Sequence, residues 1–139
     1  MQTSVNILVV DDSPFAARAL VHVLETRGLR AKAASTMEEA KRVCAESRPG
    51  VLVTDVCMPD IDLIELCRHF RISTPGHRGA VMLFSAHSEE SVANIVAAAG
   101  ADVFMEKSRG ATAVAARVEA LCAEVAKRQS RHPMPSAPG

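Results

Sequence analysis

The sequence predicts a doubly wound α/β fold, a five-stranded parallel sheet with helices on both faces. Three observations carry this. Five short apolar runs alternate with five stretches of helical periodicity over most of the 139 residues. The runs are too short for helices, and all but the second are too uniformly apolar for a sheet with one wet face, so they suit strands buried on both sides. Strands separated by helix-length segments are joined by right-handed crossovers, which bring their C-terminal ends to one rim.

The first run, Val5 to Val10, leads into Asp11-Asp12. Ser13 is placed to cap the following helix and Pro14 fits its first turn. Phe15, Ala16, Ala19, Leu20, Val23 and Leu24 recur at helical spacing, and Gly28 stops the helix. Leu29 to Ala34 is a weaker strand whose Arg30 and Lys32 suit a sheet edge. Thr36-Met37-Glu38-Glu39 has capping-box spacing and opens a helix from about Met37 to Ser47. Val51 to Val53 forms the third strand, between Gly50 and Pro59, and Asp55 follows where it opens into a loop.

Asp60 is expected to cap the third helix, whose Leu63, Leu66, Cys67 and Phe70 form one stripe. Ala80 to Phe84 is the fourth strand and ends in Ser85-Ala86-His87. Ser88 caps the next helix, with Glu89 and Glu90 set against its dipole, and Gly100 closes it. Ala101 to Met105 is the fifth strand, followed by Glu106-Lys107. The last helix, from about Gly110 to Arg128, aligns Val114, Val118, Leu121, Cys122 and Val125. Residues 129–139 hold three prolines without apolar periodicity and are expected to form a disordered tail after a single domain, 1–128.

Composition narrows the function. Lys+Arg and Asp+Glu are both 16, so a globally basic nucleic-acid footprint is missing. The lack of Trp and Tyr gives little support to stacking of bases or sugars. With no signal-like segment and no membrane-length apolar run, a cytoplasmic protein without membrane insertion is expected. Cys44, Cys57, Cys67 and Cys122 lack metal-site spacing and read as reduced thiols in or near the core.

The chemistry lies at the rim, where Asp11/Asp12, Asp55, Ser85 and Lys107 end four strands. Clustered carboxylates repel and favour a cation, and an all-oxygen donor set points to Mg²⁺. An aspartate can also take a phosphoryl group as an acyl phosphate, with a hydroxyl and a lysine stabilising the added charge. Each residue alone has a plainer reading: Asp55 as a turn residue, one of the acidic pair as a helix cap, Ser85 as a loop hydroxyl, Lys107 as a solvated lysine. Arg68, His69, Arg71 and Arg78 read as a solvated helix face and loop.

Asp11-Asp12, Asp55-x-x-Met-Pro, Ser85-Ala86 and Lys107, in this order and spacing, resemble the receiver domain of bacterial two-component response regulators. The resemblance covers about Val5 to Arg128. It implies a flavodoxin-like sheet of order 2-1-3-4-5. It implies Asp55 as phosphoacceptor, with Mg²⁺ held by Asp11, Asp12, Asp55 and the backbone carbonyl of Cys57. Ser85 and Lys107 would contact the phosphoryl group, and Phe104 would be the switch aromatic, although packing on an edge strand explains that residue equally well. The donor would be a sensor histidine kinase or a His-containing phosphotransfer protein, and the output a downstream protein target.

Such a chain is a single-domain switch rather than an enzyme acting on other molecules, although it assists its own phosphorylation and dephosphorylation. Two alternatives stay open: a receiver-like binding module that takes no phosphate, and the receiver fragment of a larger regulator. An aspartate-nucleophile phosphatase would want a second Asp where Cys57 stands. Ser108 follows Lys107 where the family usually has Pro, and Leu63 stands where Gly is common. Cys57 and His87 occupy positions that tune dephosphorylation in relatives. These departures bear on phosphoryl lifetime and on the geometry of the Lys107 loop.

Overall fold

The computed structural model describes residues 5–131 apart from 75 and 77. The strands are β1 (Asn6–Val10), β2 (Arg30–Ala34), β3 (Val51–Asp55), β4 (Ala80–Ser85) and β5 (Val103–Glu106). The helices are α1 (Pro14–Thr26), α2 (Met37–Ser47), α3 (Leu63–Ser73), α4 (Glu89–Ala99) and α5 (Ala111–Arg131). All strand pairs are parallel, in the order β2-β1-β3-β4-β5. This is the expected doubly wound sheet, with β2 at one edge and β5 at the other.

The sheet separates two cores. Ile7, Val9, Val51, Val53, Met82 and Phe84 pack with Ala17, Leu20 and Leu24 of α1 and with Val114, Val118, Leu121 and Val125 of α5. Leu8, Val10, Leu52, Val81 and Leu83 pack against Val43 and Cys44 of α2 and against Leu66, Cys67 and Phe70 of α3. Strand residues alternate between these cores because successive side chains point to opposite faces. The continuous apolar runs of β3 and β4 are therefore burial on both sides, and every residue of both strands is buried.

Gly79 is set by close packing rather than by its dihedrals. A Cβ there would lie 2.7 Å from Cζ of Phe70 and 2.9 Å from Oγ1 and Cγ2 of Thr74. Both neighbours are buried, so neither has solvent to move into. Gly79→Ala is expected to cost about 1–3 kcal/mol of overpacking strain, read as a lower denaturation midpoint.

Several local expectations are corrected. The third helix is capped by Asp62, not Asp60: the Asp62 side chain accepts from the Glu65 N–H at 3.1 Å. A turn bond from Ile61 N–H to the Met58 carbonyl, with the Ile61 side chain buried, delays the helix by two residues. Phe15 is 83% exposed although it lies at helical spacing with the core residues, because the face of α1 against the sheet runs through Ala17, Leu20 and Leu24. β3 extends to Asp55, so the carboxylate ends the strand instead of following it. β5 starts at Val103 and ends at Glu106, because Asp102 turns back to accept the Val81 N–H at 2.8 Å. α5 continues to Arg131, three residues beyond expectation, and the rest of the expected tail, 132–139, lies outside the described residues.

Two side chains expected to be unremarkable have defined places. Cys44, Cys67 and Cys122 are buried as expected, but Cys57 is exposed beside the acidic rim. Burial pushes the Cys67 thiol up to about 11. Burial, with a contribution from the Glu119 charge, pushes Cys122 up to about 12. Arg71, read as part of a solvated face, reaches across 29 residues to donate to the Gly100 carbonyl at 2.6 Å. It thereby joins α3 to the C-terminal end of α4. No helix among the described residues is long and apolar enough to cross a membrane.

Candidate functional site

The rim residues are held by one repeated local device. At the ends of β1, β3 and β4 a side-chain oxygen accepts the main-chain N–H two residues on. Asp11 Oδ1 accepts from Ser13 at 3.0 Å, Asp55 Oδ1 from Cys57 at 3.2 Å, and Ser85 Oγ from His87 at 3.0 Å. Asp and Ser favour such turns because a short side chain can stand in for a turn carbonyl. Each chain reversal therefore fixes the side chain that begins it, and for each aspartate leaves Oδ2 for another partner.

Lys107 supplies that partner. Its Nζ lies 3.2 Å from Asp11 Oδ2 and 2.9 Å from Asp55 Oδ2, so one ammonium bridges residues 96 and 52 positions away. Lys107 opens a single 3-10 turn, Lys107–Arg109, closed by the Gly110 N–H on the Lys107 carbonyl at 3.0 Å. Burial alone would lower the ammonium's pKa. The hydrogen bonds and charges of Asp55 and Asp11 outweigh it, and the pKa stands above its ordinary 10.5.

Asp12 completes the carboxylate group. One oxygen from each of Asp11, Asp12 and Asp55 lies within 4.8 Å of the others; Asp11 and Asp55 are buried and Asp12 is exposed. Desolvation, then the charge and hydrogen bond of Asp11 and the charge of Asp55, raise the Asp12 carboxyl above its ordinary 3.8. Three carboxylates facing one ammonium leave an excess of negative charge that a proton or a cation relieves. The donors are oxygens with no thiolate or imidazole among them, so the fit is to a hard divalent cation such as Mg²⁺.

The structure thus brings Asp11, Asp12, Asp55 and Lys107 together as expected. Ser85 is fully buried at the end of β4, next to Phe84, which pairs with Asp55 across the sheet. The Cys57 backbone follows Asp55 directly, and its N–H bond to Oδ1 ties that loop to the carboxylate. Phe104 pairs with Leu83 and is half-buried against the α3-side core. With Glu89, Glu106 and Arg109 it lines a shallow cavity of about 270 Å³.

One site residue escaped the sequence reading. The Lys107 Nζ sits 4.8 Å from the centroid of the Phe84 ring. Phe84 was legible as an apolar residue of β4, but no spacing pattern links it to a lysine 23 positions later.

Comparisons with known proteins place the chain in a family. The family model for the response regulator receiver domain matches residues 7–119. The response regulator MprA of Mycobacterium ulcerans is 36% identical over 120 residues, covering 85% of this chain and 50% of its own length. The alkaline phosphatase synthesis transcriptional regulatory protein PhoP of Bacillus subtilis is 33% identical over 118 residues, covering 83% and 47%. The chain thus spans about half the length of the curated relatives it matches. Among solved structures, a CheY-like receiver domain protein from Methanospirillum hungatei superposes with TM-score 0.76 at 19% identity, covering 91% of this chain and 99% of that one. The receiver domain of a signal transduction histidine kinase from Syntrophus aciditrophicus gives TM-score 0.72 at 31% identity, covering 86% and 91%.

Proposed function

Because the chain belongs to the response regulator receiver domain family, we propose that it is a phosphorylation switch whose acceptor is Asp55. The observation that carries this is the Lys107 ammonium shared between Asp11 and Asp55 beside a third carboxylate. Asp55 has one oxygen fixed by the Cys57 N–H and the other on Lys107, so its position is set before any donor arrives.

In the reaction, a carboxylate oxygen of Asp55 attacks the phosphorus of a phosphohistidine on a sensor kinase or a phosphotransfer protein. The new O–P bond makes an acyl phosphate; the P–N bond breaks, and its electron pair stays on the imidazole nitrogen. Lys107, now on Asp55 Oδ2, is placed to hold an oxygen of the transferred group. Ser85 can offer its hydroxyl to another. Asp11, Asp12, Asp55 and the Cys57 carbonyl would hold Mg²⁺, which neutralises charge on the phosphoryl oxygens when bound. The chain is an acceptor that assists its own phosphorylation and hydrolysis rather than an enzyme with a separate substrate. Hydrolysis of the acyl phosphate by water returns Asp55 and releases inorganic phosphate.

Intact mass after incubation with Mg²⁺ and acetyl phosphate tests this reading. The chain should gain the mass of one phosphoryl group, and EDTA should suppress the gain. An adduct of equal yield in EDTA would remove the metal from the proposal, and no adduct under either condition would favour the receiver-like binding module.

The output we propose runs through α4, β5 and α5 to a protein partner. Ser85 ends the strand before α4, and Phe104 lies on the neighbouring strand against the same core. α4 is the lightly anchored element there, with Ala99 its one buried residue. Coupling needs two states that a partner distinguishes. Phosphorylation should therefore change amide hydrogen exchange in α4 and β5, and Phe104→Ala should shrink that change without lowering the adduct yield. An unaltered exchange response in Phe104→Ala would end the coupling role of this ring.

A further inference from the structure

We propose that Phe84 is a positioning residue for Lys107, its ring serving as a floor that directs the ammonium onto Asp11 and Asp55; this rests on the reading of Lys107 as the phosphoryl-stabilising cation.

The geometry gives the ammonium three neighbours. Two are carboxylate oxygens, at 3.2 and 2.9 Å, and the third is the Phe84 ring, its centroid 4.8 Å from Nζ. A cation within about 6 Å of an aromatic face is drawn to the negative side of the ring quadrupole. Phe84 is 6% exposed and belongs to the core under α1 and α5, so its ring is held in place by packing. Its backbone is fixed as well, because Phe84 pairs with Asp55 in the sheet and its carbonyl accepts the Val56 N–H at 3.2 Å. The ring is therefore registered to the acceptor aspartate by the sheet itself.

Lys107 needs such a guide. It stands outside β5, in a three-residue turn, on a long flexible stem, and its side chain is 32% exposed. Ser108 follows it and supplies no ring to restrict the backbone. Without the aromatic floor, the two carboxylates alone hold the ammonium, and its stem is free to approach them from more directions. With it, excursions toward the sheet meet a wall, and the pose over the two carboxylates also keeps the cation–ring contact. An aliphatic side chain such as Leu would keep the position apolar, at a smaller volume, without attracting the charge.

The test is a cycle of Phe84→Leu, Phe84→Tyr, Lys107→Ala and the double variant Phe84→Leu/Lys107→Ala. Initial rates of adduct formation are measured with Mg²⁺ and acetyl phosphate, and denaturation midpoints without donor. Phe84→Leu should slow the reaction by about threefold to tenfold, the size of one cation–ring contact at a partly desolvated site. Phe84→Tyr, which keeps the ring, should stay within about twofold of the parent chain on the same basis. In the Lys107→Ala background, Phe84→Leu should add nothing to the rate loss. A rate loss of the same size with and without Lys107 would overturn the proposal, since the ring would then act through general packing.

A second measurement does not depend on phosphoryl transfer. The Lys107 Hε protons should carry a ring-current shift that Phe84→Leu removes and Phe84→Tyr retains. If the parent chain forms no adduct, the phosphorylation reading fails by itself, while these resonances and the stability cycle still judge the floor. Hε shifts indifferent to Phe84→Leu would overturn it.

Discussion

Asp55→Asn should abolish the phosphoryl adduct while leaving the fold standing. Asparagine keeps an oxygen for the Cys57 N–H, which now bonds Oδ1 at 3.2 Å, but its amide is too weak a nucleophile to form an acyl phosphate. The electrostatic consequences for stability nearly cancel. Removing the charge forfeits the Lys107 contact at 2.9 Å, about 6 kcal/mol at an effective dielectric of 20. It also relieves repulsion from Asp11 and Asp12 at up to 4.8 Å, about 3.5 kcal/mol for each at that dielectric. Solvent at the exposed Asp12 trims the repulsive share. The denaturation midpoint should therefore move by no more than about 1 kcal/mol equivalent, and stabilisation by Mg²⁺ should drop sharply because a donor is gone. Intact mass and denaturation, each with and without Mg²⁺, check all three. An adduct that survives in Asp55→Asn would move the acceptor elsewhere.

Lys107→Ala should have the larger effect on stability. It leaves Asp11 and Asp55, both buried, facing one another without a cation. Breaking a fully buried pair by removing one partner costs about 3–5 kcal/mol. Here a third of the lysine side chain is solvated, so about 1–2 kcal/mol is expected near neutrality. The pH dependence has a definite sign. The folded-state pKa of Lys107 is raised above 10.5, so its contribution is complete below 10.5 and disappears as pH climbs through the higher folded value. The stability gap between parent and variant should hold at neutral pH and narrow in strongly alkaline solution. Mg²⁺ should stabilise the variant more than the parent, because no ammonium competes for the same oxygens. Equal denaturation midpoints at neutral pH would mean that Lys107 does not hold the acidic pair together.

Little of the scaffold required tertiary information to anticipate. The apolar runs at β1, β3 and β4, the caps Ser13, Thr36 and Ser88, and the stripe Leu63, Leu66, Cys67 and Phe70 all have the expected roles. Capping and periodicity are properties of neighbouring residues, so a linear string contains them. The α3 cap, expected at Asp60, falls at Asp62 because the turn that buries Ile61 delays the helix, and that burial is not a property of neighbouring residues.

The alternation of strands and helices and the residue types at the strand ends were legible in the linear chain, and the spacing of Asp11, Asp12, Asp55, Ser85 and Lys107 pointed to the receiver family. Which atoms meet emerged from packing: Lys107 on Oδ2 of both aspartates, the Phe84 ring beneath it, Arg71 on the Gly100 carbonyl, and the exposure of Cys57 and Phe15. The physical reason is range. Helical and strand periods act over a few residues, whereas these contacts join positions 23 to 96 residues apart and depend on strand register and on which side chain the two cores leave at the rim.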